Sequence, residues 1–90
     1  MIRLATNDHD PVTVALHALA VTIGDERRAE RLLALSGISP ADLRERATDP
    51  ALLAAVLAFL EAHEPDLVAV ASALQMKPEE LAAMRSKLEA

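Results

Sequence analysis

The chain has 90 residues, 52% of them hydrophobic, and a formal net charge of −5 at pH 7. This length supports one small domain with a single core. Cysteine is absent, which excludes disulfides, thiolate metal sites and thiol catalysis. The negative charge disfavours binding to nucleic acid or anionic lipid. Phe59 is the only aromatic residue, so the aliphatic composition favours helices over a β-sheet.

The first residues lack the basic, apolar and small-residue segments of a signal peptide. The charge-free stretches are also shorter than the roughly 20 residues needed to cross a bilayer. We therefore expect a cytoplasmic protein that does not enter a membrane. Residues 1–9 offer few apolar side chains beyond Ile2 and Leu4, and we predict a flexible tail there. Residues 10–90 are predicted to form a single helical domain.

Five prolines mark the predicted helix starts, because proline is favoured at the first helical position. Aspartate or serine precedes three of them and can cap the free backbone N–H groups of the first turn. The sequence thus predicts an all-α, compact bundle of about six short helices. In chain order these are helix 1 over residues 11–23, helix 2 from 26 to about 36, helix 3 from 40 to about 47, helix 4 from 51 to about 62, helix 5 from about 65, and helix 6 from 78 to the C-terminus.

The connection between helices 2 and 3 carries the most specific local signals. Gly37 is expected in the left-handed conformation that ends helix 2, with Ile38 making the hydrophobic contact behind it. Ser39 and Asp42 are spaced as a capping box for helix 3, with aspartate in place of the usual glutamate. Gly24 and Asp25 are expected to end helix 1 and cap helix 2.

Parts of the first half recur in the second half of the chain. Asp10-Pro11 returns as Asp49-Pro50, and residues 38–43 align with residues 76–81. Two readings stay open at this point. A three-helix unit is repeated as a pseudo-symmetric pair, or unrelated helices share the same capping residues by chance.

Helices 1, 4 and 5 are nearly free of charge, since residues 11–24, 50–60 and 67–76 contain no Asp, Glu, Lys or Arg. A helix that is apolar all round must be covered on most sides. Either alanines form a neutral outward face, or a second protein chain covers part of these helices. Helix 4 is the expected centre of the core, and Phe59 its largest buried side chain.

The chain offers little material for a chemical site. The three histidines form no His-x-x-x-His or Glu-x-x-His pair, so we expect no metal site. His9 lies in the predicted tail, His17 is expected to be buried with one hydrogen bond, and His63 is expected to close helix 4. The serines have no activating context and no glycine-rich phosphate loop is present. We predict no catalytic residue, no cofactor and no enzyme activity.

Residues 28–44 have the outline of a DNA-binding helix-turn-helix, with Arg44 and Arg46 on the second helix. Asp42 and Glu45 share that short helix, however, and would repel phosphates. The whole chain also has no basic stripe. Nucleic-acid binding by helices 2 and 3 is therefore the alternative function and not the preferred one.

Residues 31–44, with Asp49-Pro50 and residues 56–60, resemble a family of small alphaproteobacterial proteins known only as a domain of unknown function. The likeness runs from about Ala15 to Arg85 and is strongest in the Leu-Ser-Gly-Ile-x-Pro-x-Asp-Leu-Arg stretch. It implies a compact helical fold in a bacterial cytoplasm and brings no established activity, ligand or site residue.

This chain departs from the family pattern at three positions. Family members tend to have Phe at Leu33, Asp at Ala58 and Gly at Gln75. The last departure argues against a left-handed helix end at Gln75, because a residue other than glycine costs about 1 kcal/mol there.

From the sequence we expect a non-catalytic protein–protein interaction module or small homodimer. Its partner, a second copy or an unidentified protein, would be bound through apolar surface on helix 1, 4 or 5, with the contacting residues undetermined. A third hypothesis is a small apolar ligand held between the aliphatic helices.

Overall fold

The computed structural model describes residues 10–90, and the predicted flexible tail over residues 1–9 lies outside the described residues. Six α-helices and no strands make up this part of the chain, which confirms the predicted all-α bundle. They are α1 (Pro11–Ile23), α2 (Glu26–Ser36), α3 (Pro40–Glu45), α4 (Pro50–Glu61), α5 (Glu64–Ala73) and α6 (Pro78–Glu89).

The helices begin where the prolines and caps predict. Four prolines occupy the first helical position, and Pro65 occupies the second position of α5. Four helices have side-chain caps of the expected kind, in which a carboxylate or hydroxyl oxygen accepts a backbone N–H from the first turn. The capping residues are Asp10, Asp25, Ser39 and Asp49.

Two helix ends use the left-handed conformation. Gly37 has φ 76° and its N–H donates to the carbonyl of Leu33, as predicted. Gln75 also has φ 59°, so the argument against a left-handed end at this position was wrong. Its N–H donates to the Ser72 carbonyl and the next N–H donates to the Ala71 carbonyl. These two bonds form a Schellman motif, which offsets the cost of a side chain at positive φ.

The predicted boundaries of two helices shift slightly. The sequence extended helix 3 to about Ala47, whereas α3 ends at Glu45 because Arg46 leaves the helical region with φ −124°. The Asp49 N–H then donates to the Arg46 carbonyl at 2.9 Å, forming the turn that leads into α4. α4 itself starts at Pro50.

The predicted central position of α4 is confirmed. It packs against α1, α2, α5 and α6. More residues are buried in α4 than in any other described helix, and Phe59 is 8% exposed. Burial of one wide arc of α4 leaves the opposite arc as the surface on which a site can form. The buried residues of α4 are Leu52, Leu53, Ala54, Val56, Leu57, Phe59 and Leu60.

None of the six helices in the described range is long and apolar enough to span a bilayer.

Candidate interaction surface

The outward arc of α4 consists of alanines. Ala51, Ala58 and Ala62 are exposed and Ala55 is half-buried, at the spacing that places residues on one face of a helix. The same helix buries its leucines, valine and phenylalanine on the other side. The uncharged stretch at residues 50–60 therefore has one arc that is buried in the core and a neutral outward face made of alanines.

A depression of about 520 Å³ lies between α2 and α4, and we call it the α2–α4 depression. Leu35 forms part of its wall and is 75% exposed, the most exposed large apolar side chain among the described residues. Its lining is mostly apolar. The lining residues are Arg31, Leu35, Ser36, Ala55, Ala58, Phe59, Ala62 and His63.

A second depression of about 650 Å³ lies between α4 and the C-terminal end of α6, and we call it the α4–α6 depression. Leu88 of α6 is half-buried there. Ala55 and Ala58 line both depressions, so the alanine face of α4 is the ridge between them. The lining residues are Asp49, Pro50, Ala51, Ala54, Ala55, Ala58, Leu88 and Glu89.

The two depressions differ in the ionisable residues that line them. The lining of the α2–α4 depression includes Arg31 and His63 but no carboxylate. The lining of the α4–α6 depression includes Asp49 and Glu89 but no cation. The α4 ridge as a whole is not divided into an acidic and a basic end, because Asp49 is paired with Arg46 at its N-terminal end and Glu61 is the last residue of α4 at the other.

Arg31 is held in place by a buried carboxylate. Asp66 of α5 is 5% exposed and accepts hydrogen bonds from Arg31 and from Nε of Arg28, the latter at 3.1 Å. Burial of Asp66 favours its protonated form, but the bonds from Arg31 and Arg28 outweigh burial and hold the pKa of Asp66 below its ordinary value. Two guanidinium groups thus share one carboxylate beside the α2–α4 depression.

Arg85 of α6 contacts carboxylates at both ends of α4, because Glu61 is the last residue of that helix and Glu89 lines the α4–α6 depression near its start. Arg85 of α6 donates from Nε to Glu61 at 2.5 Å and from Nη1 to Glu89 at 3.4 Å. One guanidinium is thus shared by two carboxylates. The side chain of Glu89 is 53% exposed, so an excess negative charge remains near the α4–α6 depression.

The arginines of the helix-turn-helix hypothesis lie on and just after α3. Arg44 is exposed. Arg46 donates from Nη2 to Asp49 at 2.7 Å, and its Nη1 lies 3.9 Å from Asp42. The bond from Arg46 lowers the pKa of Asp49 and raises that of Arg46 itself. These contacts direct the Arg46 guanidinium toward the carboxylates of Asp42 and Asp49.

The histidines considered in the sequence lie apart from one another in the helix order. His9 is outside the described residues. His17 is half-buried, and its Nδ1 has no hydrogen-bond partner within the protein, which leaves the expected bond to backbone or solvent a prediction. The prediction that His63 closes helix 4 was wrong. α4 ends at Glu61, and His63 is the residue that precedes α5, without a side-chain cap bond.

Two of the four serines, Ser36 and Ser39, have structural contacts. Ser36 Oγ donates to the Leu32 carbonyl and accepts from the Ile38 N–H, while Ser39 Oγ accepts from the Asp42 N–H. Over residues 10–90, no three histidine or acidic side chains come together in a way that could hold a metal ion.

The other two uncharged helices each expose one large apolar side chain. On α1 the exposed large side chain is Ile23 and on α5 it is Val68, each 46% exposed. Neither residue lines one of the depressions described above. Of the three helices considered in the sequence, α4 is the one whose residues line both depressions.

Leu35 and Leu88 were not singled out from the sequence. Leu35 lies outside the stripe of Ala29, Leu32 and Leu33 that marks the inner face of α2. An apolar residue outside such a stripe is a signal for an exposed contact, but a weak one, because single exposed leucines are common. Leu35 and Leu88 come to lie beside the alanine face of α4 only in the folded chain, so their positions in the sequence do not reveal it.

The comparisons with known proteins identify a family and nothing finer. The family described as "Protein of unknown function (DUF3572)" matches residues 8–90. No curated protein matches the chain, and no solved structure matches it. Since the match covers nearly the whole chain, including every helix described above, the chain belongs to the DUF3572 family of proteins of unknown function.

Proposed function

We propose that this protein is a non-catalytic protein–protein interaction module that works as a homodimer. The observation that carries the proposal is Leu35, which is 75% exposed beside an apolar depression of about 520 Å³. Burying a leucine side chain fully is worth about 1.5–3 kcal/mol. A partner that covers the α2–α4 depression would gain this free energy together with that of the neighbouring alanines.

The surrounding polar groups support an interaction role over a catalytic one. Ser36, Ser39 and Asp49 are used in helix ends and caps, and Asp66 is used in ion pairs between helices. These contacts stabilise the fold and do not hold an activated nucleophile next to a base. A bacterial cytoplasmic setting is part of the proposal, and it rests on the cysteine-free composition and on the family resemblance.

The nucleic-acid alternative receives less support from the contacts of α3. Arg46 is engaged with Asp49 and Asp42, and Glu45 is exposed beside Arg44. To bind a phosphate, Arg46 would have to give up its contacts with Asp49 and Asp42. Glu45, beside Arg44, would repel the phosphate. A small apolar ligand is also less favoured, because Leu35 and Ala58 are exposed and would leave the ligand partly in water.

Sedimentation equilibrium tests the proposal. From about 10 µM to about 1 mM protein, the apparent mass should rise from that of the monomer toward twice that value. Leu35→Ala should weaken the association, because it removes the exposed apolar contact. Val68→Ala, a matched change at an exposed residue of α5, should leave the association unchanged. A mass that stays monomeric over the whole range would overturn the homodimer.

A further inference from the structure

We infer that α2 and α3 form a flap that opens as one unit from a core of the other four helices, and that the α2–α4 depression exists only while this flap is closed. The flap comprises residues 26–45. Residues 24–25 join it to α1, and residues 46–49 join it to α4. The opening is a property of a single chain, so it does not depend on the proposed homodimer.

The other four helices form a complete core by themselves. α1, α4, α5 and α6 each pack against the three others. Over residues 10–90, every buried apolar side chain except Leu32 lies in these four helices or directly at their ends. The main packing of the domain therefore does not require α2 and α3, which is the condition for a part of a fold to open while the rest stays intact.

The flap has few apolar contacts with this core. α2 packs against α1 and α4, and α3 packs extensively against no helix. Leu32 is the fully buried side chain of the flap, and Ile38 and Leu43 are partly buried against the core. Since hydrophobic stabilisation follows the apolar area that is buried, these three side chains provide most of the apolar attachment.

The polar attachment of the flap depends on one carboxylate. Among the described residues, the hydrogen bonds that join the flap to a distant part of the chain run from Arg28 and Arg31 to Asp66 of α5. The bonds at the two joints are local. The Gly24 N–H donates to the Ala20 carbonyl at 3.1 Å, for example. Local bonds of this kind can persist when the flap opens, so the joints act as hinges.

Opening of the flap dismantles the α2–α4 depression. Arg31, Leu35 and Ser36 line one side of it and belong to α2, whereas the other lining residues lie in α4 or directly after it. Phe59 loses its cover on that side when α2 moves away. A molecule bound in the depression must therefore favour the closed flap, because it binds one of the two states and not the other.

Hydrogen exchange followed by mass spectrometry tests the opening, at about 5 µM protein so that mass action opposes association. α2 has 11 residues and is too short to remain helical when detached. Its amides at residues 30–36 should therefore be at least about ten-fold less protected than those of α4. Urea below the unfolding transition should accelerate exchange less in α2 than in α4, because opening the flap exposes less surface. Equal protection with equal urea dependence would overturn the inference.

Leu32→Ala and Leu81→Ala separate opening of the flap from global unfolding. Leu81 is buried in α6, which does not pack extensively against α2 or α3, so its packing is the same with the flap open or closed. Leu81→Ala should accelerate exchange in α4 and leave α2 unchanged within about two-fold. Leu32 is packed only when the flap is closed, so Leu32→Ala should accelerate exchange in both helices by at least about 30-fold.

Leu35→Ala is the matched control, because it makes the same change at an exposed position of α2, and it should accelerate exchange in neither helix. Leu81→Val makes the same comparison if Leu81→Ala does not fold. Equal acceleration of α2 and α4 by a change at Leu81 would show that all six helices unfold together, and the flap would be rejected.

Trypsin cleavage provides a second measurement on the same proteins. Arg31 lies in the middle of α2, where cleavage requires the helix to open, and α4 contains no lysine or arginine. The rate of cleavage after Arg31 should rise at least about 30-fold in Leu32→Ala and should not change in Leu81→Ala. A rise in Leu81→Ala as large as that in Leu32→Ala would contradict the independent opening of the flap.

Discussion

The α2–α3 turn and the α5–α6 turn share three features, although the Gly37 N–H donates to Leu33, four residues back, and the Gln75 N–H donates to Ser72, three residues back. Each places a left-handed residue after the first helix, Gly37 in one and Gln75 in the other. Each then starts the next helix with proline at the first position. In both turns, the residue just before the second helix donates its backbone N–H to a carboxylate three residues further on. Ser39 donates to Asp42 in the α2–α3 turn, and Lys77 donates to Glu80 in the α5–α6 turn. The recurrence of residues 38–43 as residues 76–81 thus corresponds to two similar helix starts, which a repeated unit and a chance sharing of capping residues would both produce.

The helices that follow these turns differ in how much they contribute to the core. α3 is six residues long and has no buried residue, and it reaches the core through the partly buried Leu43. α6 is 12 residues long, buries Leu81 and Met84, and packs against α1, α4 and α5. A shared turn therefore orients a helix without determining whether it enters the core. Length and apolar spacing decide that.

The largest expected effect is the difference in stability lost when Leu81 and Leu43 are each replaced by alanine. The two residues occupy equivalent positions after the two turns. Leu81→Ala should lower the free energy of unfolding by about 2–5 kcal/mol, because Leu81 is fully buried and its loss leaves a cavity. Leu43→Ala should cost about 1 kcal/mol, because Leu43 is only partly buried. Urea unfolding followed by circular dichroism measures both values. Equal losses would mean that α3 contributes to the core as α6 does.

The helices that precede the two turns are attached by different forces. α2 buries one residue, Leu32, and is joined to α5 by the bonds from Arg28 and Arg31 to Asp66. α5 instead contributes Val70 and Ala71 to the core. A polar attachment should respond to pH and an apolar one should not, so acid provides a way to sharpen the comparison.

Asp66→Asn should lower the free energy of unfolding at pH 7 by about 1–3 kcal/mol, because it removes the charge that pairs with two guanidinium groups. The folded-state pKa of Asp66 lies below its ordinary value of 3.8. Its contribution is thus fully present well above pH 3.8 and is lost as the pH falls through the folded pKa.

The difference in stability between the wild-type protein and Asp66→Asn should therefore shrink as the pH is lowered below about 4. Comparing the two proteins matters, because Asp25, Asp42 and Asp49 also have lowered pKa values and act equally in both. Hydrogen exchange should show faster opening of α2 than of α6 in the variant. A difference that stays constant down to pH 2 would show that the ion pair does not stabilise the fold.

Local features of this fold were predictable from the sequence, since prolines, caps and Gly37 act through bonds within a few residues. The central position of α4 was predictable from its uncharged stretch. The attachment of Asp66 to Arg28 and Arg31 was not, because these residues are 38 and 35 positions apart and only the fold brings them together. The two depressions depend in the same way on where α2 and α6 lie beside α4.

At Gln75 the local preference for glycine at positive φ is outweighed by other contacts. A residue other than glycine at positive φ is unfavourable by itself, and that cost was correctly expected. The sequence could not reveal that Met76 packs against the core and that its N–H completes the Schellman bond to Ala71. Tertiary packing thus stabilises a conformation that the residue alone would avoid.

The smallest expected effect compares the two left-handed residues directly. Gly37→Ala should lower the free energy of unfolding by about 1 kcal/mol, and Gln75→Gly should raise it by about 0.5–1 kcal/mol, both measured by urea unfolding. A Cβ at Gly37 would meet no heavy atom within 4 Å, so the cost there comes from φ alone. Glycine at 75 relieves the same strain, although it also increases the entropy of the unfolded chain.

Opposite signs of similar size would show that the two turns carry the same backbone strain and differ only in which residue bears it. A loss of stability in Gln75→Gly would mean that the Gln75 side chain stabilises its turn by more than the left-handed conformation costs. The α5–α6 turn would then owe its shape to contacts of its own, and the likeness of the two turns would be convergence on one geometry from different causes.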